Sequence, residues 1–248
     1  MASKSETGHA VNADNHEKLY FKVKAQGLKY NPQDAAISEA SLLAKNTKIK
    51  DTRATFRVKA GPWMKVVNDR EHAMDPVDAL MTQVKNAADA SMGSPQFKID
   101  VTNLVKKIKG IRISEKIETD PNDPNLPTDE SVEQISASHT GYANKVENIG
   151  MLASLLNAET GYAPTEDEVK AAAITTLFES LSANNASVSE LTPEMENARI
   201  DFKAELYAPE TGAVDLSKKV KSYFKSRFGG DSAQYHSVAK LKFVDLSK

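Results

Sequence analysis

Five histidines, at His9, His16, His72, His139 and His236, are the side chains of this sequence best suited to hold a metal or move a proton. A di-metal centre in a helix bundle needs a Glu-x-x-His pair on each of two helices, with further glutamates beside them. Glu6-Thr7-Gly8-His9 has that spacing once, in a polar N-terminal stretch. Glu71 and His72 are adjacent, so on a helix their side chains diverge. The histidines therefore read as surface or half-buried residues, with no metal or cofactor expected. Ser136, Ser138, His139 and Thr140 crowd together without the strand-turn-helix pattern of a nucleophile elbow. The glycines form neither a dinucleotide fingerprint nor a P-loop. Ser94 and Ser232 read as helix caps, and Glu166 and Glu168 as acids in a helix first turn, where negative charge suits the dipole. Cysteine is absent, which excludes disulfides, thiolate catalysis and Cys-based metal sites. Nothing here points to an enzyme.

The cations carry the remaining chemistry. Lys218, Lys219, Lys221, Lys225 and Arg227 crowd one helical stretch, with Tyr223 and Phe224 between them. Such a row can contact phosphates or nucleic acid, and aromatics can stack on bases. The competing reading is a solvated face with Tyr223 and Phe224 turned into the core, since Leu216, Val220, Tyr223 and Phe224 share a stripe. Periodicity favours that reading, and Lys106, Lys107, Lys109 and Arg112 form a second, weaker cluster. Arg53 and Arg199 each precede a stripe phenylalanine, Phe56 or Phe202. They are expected to pair with acids between two repeats, or less readily to clamp an anion there.

The elements that position these groups come twice. Thr7-Gly8-His9-Ala10 returns as Thr140-Gly141-Tyr142-Ala143, Asn15 and Leu19 as Asn148 and Leu152, and Tyr30-Asn31-Pro32 as Tyr162-Ala163-Pro164. Ser94-Pro95-Gln96-Phe97 returns as Ser232-Ala233-Gln234-Tyr235. Apolar steps of three and four predict helices throughout: Val146, Ile149, Leu152 and Leu156; Met195, Ala198, Phe202 and Leu206; Val77, Leu80, Met81, Val84 and Ala88. Helix exits are expected at Gly27 and Gly161, and helix starts at Asn31-Pro32, at Thr165 with Glu168, and at Thr192-Pro193. A bend or restart is expected at Gly61-Pro62. Before Asn46 and Asn184-Asn185 the second copy is longer by about six residues, roughly two helical turns.

The fold expected is all-α, two tandem helical repeats packed as one pseudo-twofold antiparallel bundle. Residues 1–8 form a flexible lead, 9–112 the first repeat, 113–134 an acidic proline-rich linker with Pro121, Pro124 and Pro127, and 135–248 the second repeat. The motifs Tyr162-Ala163-Pro164, Asn197-Ala198-Arg199, Val220-Lys221-Ser222-Tyr223 and Phe228-Gly229 resemble a family of uncharacterised proteins of Bacteroidota. That resemblance implies a duplicated all-helical architecture and supplies no catalytic residues.

With 40% hydrophobic and 27% charged residues over 248 positions, the composition is globular, and a formal charge of -2 provides no global field for nucleic acid or anionic membranes. No apolar run spans a bilayer and no secretory h-region opens the chain, so a cytoplasmic protein is expected. The leading functional expectation is a non-enzymatic scaffold or self-assembling protein, whose partner is another protein or itself. The alternatives are a small-ligand bundle with a pocket between the repeats, and nucleic-acid binding through the lysine-rich helix.

Overall fold

Serines, glycines and prolines punctuate this chain, and between them almost every stretch is helical. The computed structural model describes residues 8–111 and 141–247, and among them no strand occurs. The helices are α1 (His9–Lys24), α2 (Glu39–Met74), α3 (Val77–Ala90), α4 (Pro95–Ile108), α5 (Tyr142–Ala158), α6 (Ala171–Tyr207), α7 (Ala213–Phe228) and α8 (Ala233–Ala239). None of them is long and apolar enough to cross a membrane. The expected lead and the proline-rich linker lie almost wholly outside the described residues.

Two compact units form. Unit 1 joins the chain up to Trp63 to the stretch from Leu191 onward, and unit 2 is Met64–Glu190. These are not the spans read as repeats from the sequence: each unit takes part of its helices from either half of the chain. Unit 1 holds α1, the start of α2, the end of α6, and α7 and α8. Unit 2 holds the end of α2, α3, α4, α5 and the start of α6. The core of unit 2 gathers Val77, Met81, Val84 and Ala88 of α3, Val101, Val105 and Ile108 of α4, and Ile149, Leu152 and Leu156 of α5. The core of unit 1 includes Leu19 and Val23 of α1, Leu42 of α2, Leu216, Val220 and Phe224 of α7, and Val238 of α8. Met195, Ala198, Phe202 and Leu206 are buried, as their spacing predicts.

Several expected boundaries move. No helix restarts at Gly61-Pro62, and none starts at Thr192-Pro193: Pro62 lies inside α2 and Pro193 inside α6. Both prolines are exposed, so water can reach the carbonyl that each leaves unpaired. The second long helix is not two turns longer, since α2 has 36 residues and α6 has 37. α1 and α5 end before Gly27 and Gly161 rather than at them. No helix starts at Asn31-Pro32, and the Asn31 backbone N–H donates to the Tyr223 hydroxyl at 3.1 Å. Asp34 instead accepts from the Ala36 N–H at 2.9 Å, opening a short 3-10 turn, and Ser38 accepts from the Ser41 N–H at 3.2 Å in the first turn of α2. Thr165 and Glu168 form no capping box, and a 3-10 turn at Asp167–Val169 precedes α6. The caps at Ser94 and Ser232 do form, with bonds from Phe97 N–H at 3.2 Å and Tyr235 N–H at 3.1 Å.

The loops after α1 and α5 are each tied by a buried tyrosine. Tyr30 donates its hydroxyl to the Ile37 carbonyl at 2.7 Å, and Tyr162 donates to the Val169 carbonyl at 2.6 Å. Burial, aided by Glu166, pushes the Tyr162 hydroxyl up to about 12, so it stays a donor. Burial likewise raises Tyr30, with Tyr223 and Asp34 adding to it. In unit 2 this loop also crosses the α3–α4 turn backbone to backbone: the Met92 N–H donates to the Gly161 carbonyl at 3.1 Å. A Cβ on residue 161 would stand 2.6 Å from the carbonyl carbon and oxygen of Met92. We therefore expect Gly161→Ala to cost at least about 2 kcal/mol in urea unfolding, because backbone must move to admit it. Gly141→Ala, where an added Cβ meets nothing, costs less than about 1 kcal/mol.

Candidate anion-binding cleft

α1 is weakly amphipathic because its buried face is half polar: Asn12, Asn15 and His16 share it with Ala13, Leu19, Tyr20 and Val23. Buried polar groups need partners. Asn12 is clamped to the backbone of Val244, its Nδ2 donating to the carbonyl at 2.6 Å while its Oδ1 accepts the N–H at 3.1 Å. Asn15 donates to the Lys242 carbonyl at 2.8 Å. His16 Nδ1 meets Ser217 Oγ at 3.1 Å, and His9 Nδ1 meets the Tyr207 hydroxyl at 2.7 Å. Asn12 Nδ2 also reaches that hydroxyl at 3.0 Å. These bonds seat the first turn of α1 beside the last turns of α6.

Within unit 1, α2 and α6 run antiparallel. Lys45 pairs with Glu205 at 2.6 Å, Lys59 with Glu194 at 2.7 Å, and Trp63 Nε1 donates to Thr192 Oγ1 at 3.0 Å. Between these ties Phe56 and Phe202 stack, with centroids 6.4 Å apart and planes 15° from parallel. A cleft of about 400 Å³ opens there. Gly8, His9, Ala10 and Val11 of the α1 N-terminus line it, with Arg53, Phe56 and Arg57 of α2 and Arg199, Phe202 and Lys203 of α6.

The wall of this cleft is cationic, and no lining residue is acidic. Arg53 pairs with Asp14 at 2.6 Å and Arg199 with Glu196 at 3.7 Å. Neither makes the ion pair between the two halves expected from sequence: each finds an acid within its own half of the chain, and both turn toward one cleft. Among the described residues Arg57 and Lys203 have no ion-pair partner. α1 begins at Gly8 without a side-chain cap and with no acid in its first turn. Its first amides are therefore donors without intrahelical acceptors, at the positive end of the helix dipole. His9 is held below the ordinary imidazole range by burial and by the Lys203 charge. The arrangement suits an anion with an apolar body: cations and amides for the charge, phenylalanine rings for the rest.

The other predicted site residues are engaged elsewhere. Lys218 pairs with Asp215 at 2.9 Å and Lys219 with Asp34 at 3.6 Å. Lys221 donates to the Leu241 carbonyl and lies over the Phe243 ring at 5.1 Å. Arg227 donates to the Lys29 carbonyl at 3.3 Å. Phe224 is buried and Tyr223 half-buried, so the α7 row is mostly held by its own protein rather than presented as a basic strip. Lys218, Lys219, Lys225 and Arg227 are exposed and Lys221 is half-buried. Of the second cluster, Lys109 donates to Thr82 at 2.8 Å, and Arg112 lies outside the described residues. His72 is exposed beside Asp75, the His236 ring lies tilted beside Tyr235, and His139 lies outside the described residues. Among the described residues no three His, Asp or Glu side chains could hold a metal ion.

Sequence reading missed Arg57, Lys203 and the α1 amides. The offset pairing Arg53 with Arg199 drew the eye to repeat equivalence, whereas the antiparallel crossing of α2 and α6 brings them together. A periodic scan of α2 carries the signal: Arg53 and Arg57 are four residues apart, as are Arg199 and Lys203, so each pair shares one helix face. No protein-family model, curated protein or solved structure matches this chain.

His16 yields a pH prediction. Burial first, then the Lys45 charge, lower its imidazole to about 4 against a weaker pull from the Leu42 carbonyl. Its Nε2 has no hydrogen-bond partner of good geometry. Between about 6.5 and about 4 the unfolded chain takes up this proton while the folded chain does not, so stability rises with pH there. The contribution is fully present above about 6.5 and is lost as pH falls to about 4. Denaturant melts at pH 7, 5.5 and 4 should show wild type losing up to about 3 kcal/mol more than His16→Gln across that window.

Proposed function

We propose that this chain is a duplicated helical protein that binds a small organic anion, a carboxylate or phosphate on an apolar body, in the cleft of unit 1. The observation that carries the reading is the convergence of Arg53, Arg57, Arg199 and Lys203 with the uncapped start of α1 around Phe56 and Phe202. Arg57 and Lys203, which have no ion-pair partner among the described residues, add like charge beside Arg53 and Arg199, and an anion relieves that repulsion. This is the pocket between repeats of the ligand-binding alternative, because its walls come from the first half (α1, α2) and the second (α6).

Duplication is supported by matched details. α2 and α6 agree in length within one residue, and each carries an interior proline, Pro62 or Pro193. Tyr30 and Tyr162 tie their loops seven residues ahead. The buried positions of α3 (Val77, Met81, Val84, Ala88) recur on α7 (Ala213, Ser217, Val220, Phe224). In this reading each unit is made by exchange, with the opening helices of one repeat packing on the closing helices of the other.

Isothermal titration with benzoate and with inorganic phosphate tests the function. Arg57→Ala with Lys203→Ala removes two cations that hold no ion pair, so the fold should survive. At about 1.5 kcal/mol or more for a charge-assisted bond, binding should weaken at least about tenfold. Lys225→Ala, on α7, should change nothing. Absence of binding for both anions at about 10 mM, where a weak site of about -3 kcal/mol still registers, overturns the reading.

A further inference from the structure

The two units seal the same seam in different ways. In unit 1 the seam lies between α7 and the loop Gly27–Ile37. Tyr223 fills it: its hydroxyl accepts the Asn31 N–H at 3.1 Å, and its ring meets Tyr30 edge-on at 5.0 Å. Phe224 lies against Tyr30 at 5.6 Å. Arg227 donates to the Lys29 carbonyl at 3.3 Å, and Lys219 reaches Asp34 at 3.6 Å.

In unit 2 the corresponding seam lies between α3 and the loop Glu159–Val169. The buried pattern shared by α3 and α7 sets the correspondence: Val77 with Ala213, Met81 with Ser217, Val84 with Val220, Ala88 with Phe224. Tyr223 is then replaced by Ala87, Phe224 by Ala88, Arg227 by Ser91 and Lys219 by Gln83. On the loop, Tyr162 stands for Tyr30, Ala163 for Asn31 and Glu166 for Asp34. Two aromatic rings and two cations are missing from this seam. A groove of about 850 Å³ is open in their place, lined by Gln83, Ala87, Ser91, Ala163, Glu166 and Glu168 among others. The Ala163 N–H has no hydrogen bond among the described residues, where the matching N–H of Asn31 holds a phenol. No lining residue is cationic, and two are carboxylates.

We propose that this groove is a second ligand site and takes a phenolic amine. The phenol ring occupies the volume that Tyr223 fills in the other unit, with its oxygen accepting the Ala163 N–H. The ammonium faces Glu166 and Glu168, which lack the cationic partner that Lys219 gives Asp34. A cavity made by missing side-chain volume binds a molecule of the missing shape, and the acidic rim selects a cation. This inference rests on the repeat correspondence and is independent of the anion cleft.

Tyramine, p-cresol and phenethylamine are the probes, titrated into the full chain and followed by ¹H–¹⁵N NMR and calorimetry. Tyramine should bind most tightly and shift the amides of Ala163 and Ala87. Ala87→Tyr, which restores the side chain found in the other unit, should abolish binding. Glu166→Gln with Glu168→Gln should weaken tyramine about tenfold and leave p-cresol unchanged, which decides the matter if Ala87→Tyr does not fold. Arg57→Ala with Lys203→Ala should leave tyramine binding intact, separating this site from the anion cleft. No tyramine binding at millimolar concentration, shifts confined to other residues, or equal binding by the Glu variants overturns the proposal.

Discussion

The polar face of α1 is the constraint from which much of unit 1 follows. Asn12, Asn15 and His16 are buried, and none could be so against a purely apolar neighbour. Their partners come from the far end of the chain: Ser217 on α7 and the carbonyls of Lys242 and Val244. The first helix and the last segment therefore order one another. Two of the Asn12 bonds go to backbone, so the tail is held by its main chain and its side chains stay variable there. The same bonds set the α1 first turn beside Tyr207, and so decide that a helix N-terminus faces the cationic wall of α2 and α6.

Electrostatics in the cleft and in the α3 groove have opposite sign, though both arise from the same kind of scaffold. In unit 1, helix faces carrying Arg53, Arg57, Arg199 and Lys203 meet at a dipole end that adds to their charge. In unit 2, at the start of α5, Arg70 lies over the Tyr142 ring at 4.0 Å and Lys145 pairs with Asp78 at 3.6 Å.

How much of this was legible in the sequence depends on whether the signal was local. The stripes of α3, α6 and α7 and the serine caps of α4 and α8 follow from spacing within one helix, and they are where periodicity puts them. The proline positions misled, because a proline on an exposed face of a long helix costs less than its reputation and water takes the lost bond. The helix starts read at Asn31 and Thr165 misled for another reason: a 3-10 turn, Ala35–Ile37 or Asp167–Val169, comes between each of them and the long helix that follows. The cleft was invisible because it depends on an antiparallel crossing of two helices far apart in sequence. Lys221 and Arg227 looked like a surface strip because their acceptors, carbonyls of Leu241 and Lys29, carry no mark in the sequence.

The division of the chain also orders its assembly in time. Unit 2 is one uninterrupted stretch, Met64–Glu190, whereas unit 1 needs both ends of the chain. On a ribosome, the interior body can close while the C-terminal residues are still being made, and α1 must wait for α7 and for the tail that satisfies its asparagines. Until then, the polar face of α1 is solvated and Leu19 is unshielded. α1 is made before the segments that satisfy its buried face, Ser217 and the backbone of Lys242 and Val244.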